Sequence, residues 1–136
     1  MHIQTTLTPR QEQQVAAIVA LNLNDEKRRL QAPNADELEW ELKKFLIMQA
    51  VEPGEYVIAG DVDNLWHLML ENGQKVKDLE AKTGVRVEHK PSGEAEVWNR
   101  LAGPSKALYK KLFGPMQRDL DPGMLCWGCG YDISVH

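Results

Sequence analysis

Leu38-Glu39-Trp40-Glu41-Leu42-Lys43-Lys44-Phe45-Leu46-Ile47-Met48-Gln49 is the stretch on which the fold turns. Leu38, Leu42, Phe45, Leu46 and Gln49 recur at the three- and four-residue spacing that lines one face of an α-helix. Glu37, Glu39 and Glu41 read as the solvated face of the same helix and are assigned no catalytic role. Upstream, Asn34 offers a side-chain oxygen to cap the helix start, and Glu37 stands three residues on, where it can return the bond. Downstream, Pro53-Gly54 stops the helix.

Working outward toward the N-terminus, Thr8-Pro9-Arg10-Gln11 combines a capping hydroxyl, a proline at the first helical position and a glutamine that completes a capping box. Val15, Ile18 and Val19 then share a face, the charged residues 24–29 end or continue that helix, and Ala32-Pro33 breaks it. Toward the C-terminus, Tyr56-Val57-Ile58-Ala59 reads as extended. Asp61 or Asp63 starts a helix that carries Leu65, Trp66, Met69 and Leu70, and Asn72 caps another that ends at Gly84. Val85-Arg86-Val87-Glu88-His89 alternates like a short strand, and Pro91-Ser92-Gly93 is a turn. Residues 94–113 are helical with a break expected at Gly103-Pro104, and Gly114-Pro115 ends them. The expected architecture is mainly α: a single compact helical domain, residues 1–136, of about four to five helices. Residues 115–136 form an irregular C-terminal tail folded back on the core.

Composition narrows the function. A chain of 136 residues with 43% hydrophobic and 26% charged residues fits an ordinary globular domain. Sixteen basic against twenty acidic residues give a net charge of −4 with no basic stripe, so no nucleic-acid partner is expected. The apolar run from Leu65 to Leu70 is far shorter than the roughly 20 residues a membrane span needs. No basic start precedes the first apolar cluster, and the chain reads as cytoplasmic. In a reducing compartment its two cysteines, Cys126 and Cys129, read as a metal or redox element rather than a structural disulfide.

Leu42-Lys43-Lys44-Phe45-Leu46, the Pro53 loop, Val62-Asp63-Asn64-Leu65-Trp66-His67, the stretch from Gly84 to His89-Lys90-Pro91 and Tyr109-Lys110-Lys111-Leu112-Phe113-Gly114 together resemble the glycine-rich domain-containing protein family, over about residues 38–114. Val-Asp-x-x-Trp-His is the most specific part of the match. Bacterial members are short stand-alone helical proteins, so the resemblance implies a helical fold and a residue cluster more than an activity. The family's second histidine, in Trp-His-x-His, falls on Met69 here, which departs from any role that needs both.

Asp63 and His67 stand four apart, on one face of a helix, so the carboxylate can hold one imidazole nitrogen and orient the other. The same pair would serve equally as a bond that ties a helix start to the core, with Trp66 as core filler. Cys126-Trp127-Gly128-Cys129-Gly130 resembles the metal knuckle of rubredoxin-like and zinc-ribbon sites, in which glycine lets backbone amides turn toward the thiolates. One knuckle gives two ligands and tetrahedral zinc takes four. His67 and His89, both within the resemblance, complete a Cys126/Cys129/His67/His89 set, and His136 can replace one of them. Unmetallated thiols on the tail are the alternative. A thioredoxin-like dithiol is disfavoured because only seven residues follow Cys129, too few for the helix that activates such thiols.

The expectation is therefore a small metal-binding helical protein with a structural zinc, acting as a protein-interaction module for an unknown protein partner, with homo-oligomerisation left open. The alternative is a metal- or thiol-dependent enzyme that uses the same His67/His89/Cys126/Cys129 cluster. The enzyme is the less favoured of the two, because no recognisable general base stands beside the cluster and four protein ligands would close it. Trp127 is expected to pack near Trp66.

Overall fold

The computed structural model describes residues 3–57, 60–90, 95–115 and 130–135. Within them the chain is mainly helical. Six helices are present among the described residues, one more than the upper expected count, because the charged stretch after the first helix forms a helix of its own.

α1 (Pro9–Val19) begins where its capping box requires: the Gln11 N–H donates to Thr8 Oγ1 at 3.1 Å, and the Thr8 N–H donates to Gln11 Oε1 at 2.9 Å. α2 (Asn24–Leu30) ends at Gln31, whose φ of 55° turns the chain out of the helix. α3 (Ala35–Val51) runs through the core as its periodicity predicts. The expected capping box at its start does not form. Asn34 has ψ of 29°, near-helical rather than the extended conformation from which a cap side chain reaches back, and it makes no side-chain cap bond.

Gln49, which the periodicity placed on the apolar face, is fully buried, and its amide clamps the following turn. It accepts from the Gly54 N–H at 3.1 Å and donates to the Gly54 carbonyl. That clamp sets the start of β1 (Gly54–Tyr56), two residues earlier than the sequence pattern suggests.

α4 (Gly60–Leu70) turns Val62, Leu65, Trp66 and Met69 into the core. α5 (Gly73–Thr83) opens with the expected Asn72 cap, whose Oδ1 accepts from the Lys75 N–H at 3.2 Å. It closes at Gly84, with φ of 70°, the left-handed conformation that favours glycine. β2 (Val85–Lys90) follows.

α6 (Ala95–Phe113) passes through Gly103-Pro104 without the expected break. Just beyond the proline, the fully buried Ser105 hydroxyl donates to the Leu101 carbonyl at 2.7 Å and accepts from the Val57 N–H at 3.1 Å. The hydroxyl gives the proline-disturbed turn a hydrogen bond and ties it to the chain leaving β1.

The C-terminal tail also departs from expectation. Gly130–Val135 is β3, the central strand of a three-stranded antiparallel sheet ordered β1-β3-β2. Gly54, Glu55 and Tyr56 pair with Ile133, Asp132 and Tyr131, while Val85 through Lys90 pair with Val135 back to Gly130. Tyr131, Ile133 and Val135 alternate with Asp132 and Ser134, the period-two pattern of a strand. Residues 116–129 and 136 lie outside the described residues.

Among the described residues the core is one cluster that draws Ile18, Leu23, Leu38, Leu42, Leu46, Leu65, Trp66, Leu79, Val85 and Leu112 from α1 through α6. No helix among the described residues is long and apolar enough to cross a membrane.

Candidate metal centre

α4 presents the Val-Asp-x-x-Trp-His residues as three layers. Trp66 is fully buried and meets Phe45 of α3 edge to face, with ring centroids 5.8 Å apart and planes at 75°. Met69 is a core residue with no exposure. His67 lies on the outer flank, its side chain 44% exposed.

Asp63, one turn before His67, is fully buried. Its Oδ2 lies 3.2 Å from His67 Nε2, and neither carboxylate oxygen makes an aligned hydrogen bond. A buried carboxylate without hydrogen bonds is costly, so a neighbouring positive or N–H-bearing group is what makes this one tolerable. The His67 imidazole, with Nε2 3.2 Å from Asp63 Oδ2, stands where such a group would be. The i,i+4 relation expected from the sequence is therefore present, and the structure adds that the carboxylate is inside and the imidazole at the surface.

His89 is in β2, opposite Tyr131 of β3, with Lys90 opposite Gly130. Cys126, Cys129, Trp127 and His136 lie outside the described residues, as does the expected packing of Trp127 near Trp66. Among the described residues no group of three or more histidine, cysteine, aspartate or glutamate side chains converges in a way that could hold a metal ion. The described structure thus assembles one part of the expected set, the Asp63–His67 pair, and brings the chain that follows Cys129 alongside His89.

Polar clusters that the sequence reading missed join α3 to other helices. Glu41 was read as solvated, yet its side chain is 13% exposed: the Tyr109 hydroxyl donates to it at 3.0 Å and Lys44 lies 3.2 Å away. The Lys44 ammonium also donates to the Tyr109 hydroxyl at 3.0 Å and sits 5.2 Å from the centre of that ring. Burial raises the Tyr109 pKa above its ordinary value. Burial works against the Lys44 charge, but the phenol and Glu41 outweigh it and raise its pKa. Glu39, likewise half-buried, holds Lys27 at 3.1 Å. The signal available in the sequence was the opposite charge three or four residues along the same helix, Glu41 with Lys44 and Glu39 with Lys43.

A shallow groove of about 290 Å³ runs between β1 and α6, lined by Glu52, Tyr56, Pro104, Ala107, Leu108 and Lys111. Burial, with Glu52 nearby, pushes the Tyr56 hydroxyl up to about 12.

Comparison of the chain with family models, with curated proteins and with solved structures returned no match.

Proposed function

We propose that this protein is a small metal-binding helical module in which a structural zinc ion joins Cys126 and Cys129 of the tail to His89 and His67, and whose surface engages another protein. The observation that carries the reading is the β3 register. Tyr131 stands opposite His89, and Cys129 precedes Tyr131 by two positions in the sequence. The strand that pairs with His89 therefore begins one position after Cys129 in the sequence, which supports the reading.

The donor set suits the ion. Two thiolates and two imidazoles are a common tetrahedral zinc environment, and a closed set of four is structural rather than catalytic. Asp63 fits the same reading, since histidines that bind metal usually donate their other ring N–H to a carboxylate. A metal tying one end of the sheet to α4 would add stability that the small β1 strand lacks.

Zinc content of the full chain, purified without a histidine tag, tests this. One zinc per chain, lost in Cys126→Ser/Cys129→Ser, is the expected result. A chain that folds without stoichiometric metal would overturn it.

A further inference from the structure

We infer that β2 is a dimerisation edge: two copies of this chain pair β2 to β2, antiparallel, about a two-fold axis at Val87, so that Arg86 of each copy stands opposite Glu88 of the other. Neither the proposed zinc ion nor the tail cysteines enter the pairing.

β1 and β2 are the outer strands of the sheet, and the fold treats them differently. β1 is three residues long, and the Gln49 amide takes both the N–H and the carbonyl of Gly54. Just past the strand, the Val57 N–H donates to Ser105 Oγ. A short edge covered by side chains resists further strand pairing. β2 is six residues long and pairs with β3 along its whole length. Among the described residues it is the longer edge, and an outer strand of this length presents a row of backbone donors and acceptors to a further strand.

Symmetry then selects the register. Two identical antiparallel strands joined by a two-fold axis perpendicular to the sheet place one residue opposite its own copy, with the residues on either side of it exchanged. Alternation puts Arg86, Glu88 and Lys90 on one face of β2 and Val85, Val87 and His89 on the other. Centred on Arg86, two arginines face each other; centred on Glu88, two glutamates do, and Arg86 meets Lys90. Both arrangements are destabilising. Centres at Val85 or His89 run off the end of the strand. Centred on Val87, the valines meet and each Arg86 faces a Glu88, which makes two opposite-charge pairs.

The sheet carries the complementary signal. Glu55 of β1 and Glu88 of β2 both stand in register with Asp132 of β3, so one row across the three strands holds three acidic residues. Like charges in facing register positions are destabilising. Gly130 and Ser134, two positions to either side on β3, are uncharged. In the Val87-centred pair, Arg86 of the second copy takes the next position of that row, beside Glu88.

Sedimentation velocity of the full chain across the micromolar to millimolar range tests the pairing. Wild type is expected to pass reversibly from monomer to dimer as concentration rises, since a pair of short strands is a small interface. Assembly should stop at two because the β1 edge is covered. Arg86→Glu and Glu88→Arg should each raise Kd about 10–100-fold, because two charge pairs turn from opposite to like. Mixed in equal amounts, the two variants should associate again, since every acidic position of one then faces a basic position of the other. Wild type that stays monomeric throughout overturns the inference without any variant. A dimer unmoved by either substitution overturns the β2 interface. Variants that weaken association singly but do not rescue each other overturn the register, and species larger than a dimer overturn the closure at β1.

Discussion

Tyr131 of β3 stands opposite His89 of β2 and, across its other edge, opposite Tyr56 of β1. The last strand of the chain is thus the element that joins the two edges of the sheet, and whatever fixes its start fixes both neighbours. If zinc does so, its binding free energy is folding free energy. Chelation should lower the melting temperature of the full chain, by an amount that grows with free zinc as RT ln(1 + [Zn]/Kd), about 2.7 kcal/mol at a hundredfold excess over Kd. A melting temperature indifferent to strong chelator would count against the site.

The tail offers a second, local readout. With metal bound, proteolysis should cut residues 116–129 slowly, and chelator should accelerate it. Rapid removal of the tail from the metal-loaded monomer would show that the site is not intramolecular.

The helical frame was legible because its signals are local. The Thr8 capping box, the Asn72 cap, the Gly84 terminus and the apolar spacing of Leu38, Leu42, Phe45 and Leu46 each act within one or two turns, and each appears where the sequence places it. The misses are non-local. α6 runs on through Pro104, and the Ser105 next to it bonds Val57, 48 positions away. Residues 130–135 become a strand by pairing with β1 on one side and β2 on the other, partners far away in sequence, although Tyr131, Ile133 and Val135 carried a readable alternation. In the candidate site, the Asp63–His67 spacing was legible, but the burial of one partner and the exposure of the other depend on what packs against α4.

Ser105→Ala should reveal how much the serine bridge contributes. The substitution leaves the Val57 N–H buried without its acceptor, a loss of about 1–3 kcal/mol. Urea unfolding should show a lower midpoint with an unchanged slope. An unchanged midpoint would mean that the turn is held by other bonds.

Gly84→Ala probes the end of α5. At a φ of 70° an alanine costs about 1–2 kcal/mol, and its methyl would meet the Arg10 guanidinium, which can swing aside. The thermal midpoint should fall accordingly, with the contribution of steric crowding isolated by combining it with Arg10→Ala.

Alkaline pH should destabilise the protein through Tyr56. Its hydroxyl is pushed from 10.0 to about 12 in the folded state, so the neutral phenol is favoured there. The sign follows: this contribution is fully present below pH 10.0 and is lost as pH rises toward about 12. Stability measured by denaturant titration should decline across that window, and Tyr56→Phe should flatten the decline. An equal slope in wild type and variant would remove Tyr56 as its source.

The most direct measurement of the metal centre is the absorption spectrum of the full chain titrated with cobalt(II) in place of zinc. Two thiolates and two imidazoles in a tetrahedron predict intense visible d–d bands and a near-ultraviolet thiolate charge-transfer band that saturate at one equivalent. Removal of His89 or of His67 should weaken both, while removal of the two cysteines should abolish the charge-transfer band. A spectrum with only the weak bands of octahedral cobalt, or no saturable spectrum at all, would contradict the site.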